Sequence, residues 1–276
     1  MYKNSLLKKF KKSDLNIEDF PYIHIENALD EEFYNKLSVD FPKYESFTDD
    51  KYIRENSRYD ISGINYMGNS PAWKEFLEYH TSDDFFKNII SIFNNEILNL
   101  KNKDLLNLLS KKNLKIGSVR KDLKEKKIDI WQDIGININT KVSENKPSVR
   151  TPHLDNPTKI YGGLFYMRNP RDECKGGNLE LYKFKDKKKY SGNAVPSRFV
   201  KKFSEVSYKE NNLVIFLNTD HSIHGVTPRS ETEFSRRFLY FHATSNNIKM
   251  HDTSINQVSK IEKFLVKVNG KLKSYL

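Results

Sequence analysis

The chain has 276 residues, 47 Lys and Arg against 36 Asp and Glu, a net charge of +11 and 13% aromatic residues. A mean hydropathy of -0.73 excludes a membrane-embedded protein, and the supply of Tyr, Phe, Ile and Leu excludes wholesale disorder. No apolar run approaches the ~18 residues of a membrane span, and the stretch after Met1 is too polar for a signal peptide. The single cysteine, Cys174, excludes an internal disulfide and fits a reducing compartment, so a cytoplasmic location is expected. The lysine runs at 8–12, 121–127 and 183–189 are scattered, and no nucleic-acid motif accompanies them. They read as solvated surface, and no nucleic-acid or membrane partner is expected.

In chain order, Phe20–Ile25 reads as a short strand. Asp30 followed by Glu31 and Glu32 reads as the start of a capped helix. Ser82 opens a clearer helix, with Phe85, Phe86, Ile89, Ile92, Phe93 and Ile97 at helical spacing. Residues 100–127 read as a helix or an exposed connection. At Ile128 the period changes: Ile128, Ile130, Ile134, Ile136 and Ile138 alternate with polar residues or glycine, as in a strand with one buried face. Strand-like segments follow at 148–155, 159–168, 178–184, 213–217, 222–227 and 237–242, separated by turn residues. Many short strands with no helices between them predict a mainly β fold with flanking helices, a sandwich or jelly roll. The tail from Ile255 to Val268 returns to helical spacing. Residues 1–276 are read as one domain: a helical part to 127, a β core over 128–243, and a helical tail over 244–276.

The chemistry concentrates in Arg150-Thr-Pro-His153-Leu-Asp155-Asn-Pro157. Residues two apart on a strand share a face, so His153 and Asp155 project together. A third ligand must come from another strand, and His224 in His-Gly-Val-Thr-Pro is preferred over His221. Two imidazoles and a carboxylate on one side of an ion form a facial triad that leaves positions open, and the donor set suits Fe(II). Arg236 and Arg237 follow, at the start of an aromatic strand. Facing alternates, so one of them points inward, where it would hold a carboxylate bidentately.

These residues resemble the Fe(II)/2-oxoglutarate-dependent oxygenases, in particular the prolyl-4-hydroxylase-like branch. HLDNP at 153–157, IYGGLFYMRNP at 160–170, GGNLELY at 176–182 and LVIFLNTDHSIHGVTP at 213–228 carry the likeness, with the lead-in FPYIHIENALDEEFYNKLSVDFP at 20–42. The resemblance implies a double-stranded β-helix in which His153, Asp155 and His224 bind iron and Arg237, directly before Phe238, binds the remote carboxylate of 2-oxoglutarate. It implies O2 as oxidant, with ascorbate as an optional reductant, and hydroxylation of a small-molecule or peptide substrate. Asp155 is a carboxylate, where related halogenases carry Ala or Gly. Tyr161 and Tyr166 are read either as hydroxyl donors to 2-oxoglutarate or as core aromatics. Arg150, Gln132 and Arg229 are weaker candidates for substrate contact. Two alternatives stay open: a non-catalytic ligand-binding module on the same fold, and a nucleic-acid-oxidising enzyme. The oligomeric state and the role of residues 44–127 are not legible.

Overall fold

The computed structural model describes residues 2–48, 54–62, 70–118, 127–143 and 150–259. A large sheet runs in the order β1 (Leu15–Asn16), β2 (Tyr22–Ile25), β9 (Asn212–Leu217), β6 (Lys159–Tyr166), β11 (Arg236–Thr244), β5 (Ile130–Asn139) and β3 (Arg58–Ser62). A short strand, β4 (Ile116–Ser118), lies parallel to the start of β5. The facing sheet is β10 (Ile223–Val226), β7 (Leu179–Phe184) and β8 (Val200–Val206). His153 bridges to His224 and so extends this small sheet beyond β10. From β5 onward the chain passes back and forth between the two sheets, and the ladders of this core are antiparallel. That winding is a double-stranded β-helix, as the resemblance implies.

Period-2 alternation divides the large sheet into two faces. Tyr161 and Phe165 of β6, Ile215 of β9, Leu239 and Phe241 of β11, and Ile134 and Ile136 of β5 face outward. They pack under α1 (Glu31–Val39), α2 (Pro71–His80), α3 (Asp83–Ile92), α4 (Asn94–Asn99) and α5 (Lys103–Leu109), through Trp73, Phe76, Phe85, Phe86 and Ile89 among others. The opposite phase, Leu164, Tyr166, Val214, Phe216 and Phe238, faces inward onto Leu179 and Leu181 of the small sheet. The helices therefore cover one face of the large sheet, and the other face is left for the small sheet and the cavity between them.

Several expectations are refined. Asp30 stands at the start of α1, but its carboxylate accepts from Lys8 Nζ at 2.6 Å and not from a helix amide. Ser82 does cap α3, accepting from Phe85 N at 3.4 Å. The predicted helix from Ser82 to Ile97 divides at Phe93 into α3 and α4. β3, β4, β8 and α2 were not expected. Ser70 caps α2 by accepting from Trp73 N, with Pro71 at the first helical position, where no amide is needed. The segment over 148–155 is not a regular strand in its described part, being held at His153 by single bridges to His224 and Ala194. Residues 255–257 of the expected tail helix form turn and bridge, 258–259 are irregular, and the remainder of that helix lies outside the described residues. The lysine run at 121–127 does so too, except Lys127. Among the described residues no helix is long and apolar enough to cross a membrane.

Candidate functional site

His153, Asp155 and His224 converge at one end of the β-helix, with one potential ligand atom from each within 4.8 Å of the others. The backbone dictates this. His153 and His224 exchange both amide hydrogen bonds at 3.0 Å, which sets the rings side by side with centroids 4.4 Å apart. Gly162 of β6 leaves room for Asp155: a Cβ there would come within 2.9 Å of Asp155 Oδ2 and 3.2 Å of the Phe216 ring.

Surrounding hydrogen bonds orient each donor. His153 Nδ1 donates to Thr151 O at 2.8 Å and His224 Nδ1 donates to Ser222 O at 2.9 Å, which leaves Nε2 as the basic nitrogen of both rings. Arg150 Nη1 donates to His153 Nε2 at 2.7 Å, consistent with that tautomer; a metal bound at Nε2 would take the place of this hydrogen bond. Burial, the neighbouring His224 and Arg150 together push His153 down to about 3. Burial also lowers His224. Both imidazoles are therefore neutral at ordinary pH, the form that ligates. Burial alone would push the Asp155 carboxyl up, but its net shift is downward, with the Lys159 ammonium and the Tyr240 hydroxyl both favouring the ionised form. Tyr240 donates to Asp155 Oδ2 at 2.7 Å, Lys159 Nζ donates to Tyr240 Oη at 2.6 Å, and His251 donates to the Asp155 carbonyl at 3.0 Å. Two neutral nitrogens and one ionised oxygen on one side of a common point fit a divalent metal such as Fe(II).

The triad opens into a cavity of 380 Å³ between the sheets, within the usual range for small-molecule sites. Arg236 lines it. Arg236 Nε donates to Gly177 O at 2.9 Å, and Nη2 lies 3.3 Å from Tyr166 Oη. Its guanidinium carbon lies 4.6–5.2 Å from the ring centres of Phe238, Tyr166 and Tyr208, so the side chain is fixed. Gly177, at φ +74°, brings its backbone against the Arg236 stem at 3.4 Å from where a Cβ would be.

The placement of Arg237 is corrected. Its side chain lies on the outer face of β11, where Nε donates to Met167 O at 2.8 Å, Nη2 lies 3.4 Å from Ser38 Oγ, and the guanidinium stacks 4.9 Å from the Phe41 ring centre. It ties α1 to the sheet. The reason is strand phase: Arg237 runs with Leu239, Phe241 and Ala243, the wholly apolar series that the helices cover, whereas Arg236 runs with Phe238 and Tyr240. Tyr161 is corrected for the same reason. It is buried under α3, donating to Gln132 Oε1 at 3.0 Å, and Gln132 in turn holds the Thr81 and Ser82 carbonyls. Tyr166 faces inward and touches Arg236. His221 lies outside the cluster, 3.5 Å from Asp220. Arg229 also lines the cavity, but its guanidinium donates to the Phe234 and Thr140 carbonyls. Lys159, Tyr240 and Arg58 were not anticipated. The signal for Tyr240 was present, since it shares the phase of the inward series; nothing in the sequence places Arg58 beside the triad.

No family model matches this sequence, and no curated protein matches it. Similar solved structures include a prolyl 4-hydroxylase from Phytophthora capsici, at 14% identity and a TM-score of 0.47, covering 100% of this chain and 78% of that one. A prolyl-4-hydroxylase from Pseudomonas putida aligns at 13% identity and a TM-score of 0.43, covering 85% of this chain and 97% of that one. The epimerase SnoN, in complex with Fe3+, alpha ketoglutarate and nogalamycin RO, aligns at 9% identity and a TM-score of 0.48, covering 86% of this chain and 84% of that one.

Proposed function

We propose that this protein is a Fe(II)- and 2-oxoglutarate-dependent dioxygenase that hydroxylates a small-molecule or peptide substrate, releasing succinate and CO2. The observation that carries the reading is the coincidence, in one cavity of a double-stranded β-helix, of the His153, Asp155 and His224 donors with the fixed guanidinium of Arg236. His153, Asp155 and His224 would hold Fe(II), and Arg236, backed by the Tyr166 hydroxyl, would hold the remote carboxylate of 2-oxoglutarate. The bound metal and cosubstrate supply the oxidising chemistry towards O2.

The chain's own residues bind, orient and exclude water. Thr151 O and Ser222 O keep the Nδ1 protons in place and the Nε2 lone pairs aimed at the metal position. Tyr240 and Lys159 hold the Asp155 carboxylate in one orientation. Leu164, Phe216 and Phe238 supply apolar wall, which keeps water from the reacting carbon. The reading takes residues 1–276 as one oxygenase domain.

The test is Fe(II)-dependent conversion of 2-oxoglutarate to succinate and CO2, scanned for stimulation across a metabolite and peptide library. Stimulated turnover that Asp155→Ala abolishes is the expected result. A protein that neither binds 2-oxoglutarate nor forms succinate with any member of the library contradicts the reading and favours a non-catalytic module.

A further inference from the structure

One cation in the cavity wall is left without an assigned partner. Lys159 lies 3.5 Å from Asp155 Oδ1, Arg150 donates to His153, the Arg229 guanidinium is spent on the Phe234 and Thr140 carbonyls, and Arg236 is assigned above. Arg58 remains. It lines the cavity from β3, opposite Asn139 of β5. Among the described residues it makes one hydrogen bond, from Nε to Asn137 Oδ1 at 2.8 Å, and no ion pair. That anchor is itself fixed. Asn137 is buried and donates from Nδ2 to Gly135 O at 2.8 Å, and a Cβ on Gly135 would meet the same nitrogen at 2.9 Å. The Arg58 guanidinium carbon lies 5.4 Å from the Phe238 ring centre and 5.8 Å from that of Tyr240. With Nε taken and two rings steadying the group, the end of the fork, Nη1 and Nη2, is left for a ligand. Two parallel N–H groups on a planar fork match a carboxylate.

We propose that Arg58 is the specificity-determining residue of this cavity and binds the carboxylate of a small-molecule substrate whose remaining body is apolar. The proposal deepens the oxygenase reading by naming the substrate class of the same site; it rests on that reading for the reaction and not for the binding. Position separates Arg58 from the cosubstrate arginine. On the inward row of β11, Arg236 stands at one end against Tyr166 and Tyr208, whereas Arg58 lies over Phe238 and Tyr240, and Tyr240 reaches Asp155. Leu164, Leu179, Phe216, Val226 and Phe238 supply an apolar wall for the rest of the molecule. Asp155, a donor to the proposed metal, is the one carboxylate among the described lining residues, so an ammonium group finds no counter-charge there. That disfavours a zwitterionic amino acid and favours a simple or N-acylated acid. A phosphate monoester carries close to two charges and calls for more than one cation, and the cations around Arg58 are committed elsewhere.

The experiment uses the full-length protein loaded with Zn(II) and saturated with 2-oxoglutarate. Acetate, hexanoate and phenylacetate, and the primary amide of each, are titrated by ligand-observed NMR at physiological ionic strength. Hexanoate and phenylacetate should each bind at one saturable site, about tenfold tighter than their amides and tighter than acetate, because the acid adds a charge-assisted pair to the apolar contact. Arg58→Gln should remove the preference for acid over amide, Arg58→Lys should keep part of it, and 2-oxoglutarate affinity should stay within about threefold in both. Thermal unfolding confirms that each variant is folded, and Arg58→Met, which keeps the apolar stem, replaces Arg58→Gln if that variant is not. Equal affinity for acids and amides in the parent protein, or a preference that survives in Arg58→Gln, overturns the assignment. A loss of 2-oxoglutarate affinity in Arg58→Gln as large as in Arg236→Gln gives Arg58 to the cosubstrate and overturns it too. Displacement of hexanoate by phenyl phosphate at a lower concentration than by phenylacetate overturns the choice of a carboxylate. If 2-oxoglutarate does not bind while the Arg58-dependent preference persists in its absence, the oxygenase reading falls and the carboxylate site stands; 2-oxoglutarate binding without any acid preference removes the carboxylate site alone.

Discussion

Replacing Arg236 by alanine should weaken 2-oxoglutarate binding far more than replacing its neighbour Arg237. Arg236 is 4% exposed, anchored through Nε to Gly177 O and packed against three aromatic rings, so its fork is pre-oriented for a carboxylate. Losing a charge-assisted bidentate pair in such a setting costs about 2–5 kcal/mol. Taking about 3 kcal/mol, the dissociation constant of 2-oxoglutarate should rise roughly a hundredfold. Arg236→Lys keeps the charge but not the planar fork and should fall between the two. Arg237→Ala instead removes the bond to Met167 O and the stack on Phe41. It should lower stability by about 1–2 kcal/mol, with 2-oxoglutarate affinity within about twofold. The assay is calorimetric titration of 2-oxoglutarate into Mn(II)-loaded protein, alongside thermal unfolding of each variant. A hundredfold loss in Arg237→Ala with Arg236→Ala unaffected would refute an inward-facing Arg236.

Three further outcomes are expected. Gly162→Ala places a methyl within 2.9 Å of Asp155 Oδ2, so Asp155 must shift, and metal affinity should drop while the fold persists; unchanged metal binding in a folded variant would count against the close approach. Tyr240→Phe removes the hydroxyl that donates to Asp155 and should weaken metal binding about tenfold to a hundredfold, as for other groups that orient a ligand; an affinity equal to the parent's would show that Tyr240 does not position the carboxylate. Stability should fall in acid. Burial pushes His80 down to about 3, and its Nε2 accepts from Leu6 N while Nδ1 donates to Phe76 O. Below the ordinary histidine value near 6.5 the unfolded chain takes up a proton that the folded state refuses. The contribution of His80 is therefore complete above that value, about 2 kcal/mol smaller at pH 5, and still falling towards pH 3. Urea midpoints across this window should decline less steeply in His80→Gln; identical slopes would contradict the assignment.

The sequence made the His153, Asp155 and His224 cluster legible because its pattern is local. His153 and Asp155 are two residues apart, and His224 is followed by a turn-forming Gly-Val-Thr-Pro. The β core was legible because alternation and turn residues mark each strand. The phase of β11 is hard to read from sequence because both of its faces are apolar: Phe238 and Leu239 are equally hydrophobic, and only the polar tips of Tyr240 and His242 distinguish the inward series. The two readings of Tyr161 and Tyr166 are not separable from sequence for the same reason, since the two residues sit on one aromatic strand but on opposite faces. Arg58 was beyond reach for a different reason. Its contact with Phe238 and Tyr240 depends on β3 pairing with β5, with Arg58 opposite Asn139, a long-range register that no local pattern encodes.

The central claim is that His153, Asp155 and His224 together hold the catalytic metal. The most direct measurement is anaerobic titration of Fe(II) into the metal-free protein and into His153→Ala, Asp155→Ala and His224→Ala. The account predicts one tight equivalent per chain in the parent protein, lost or strongly weakened in every one of the three variants while their fold is retained. Parent-like iron binding in any of them, or full succinate-forming turnover in the presence of excess chelator, would contradict it.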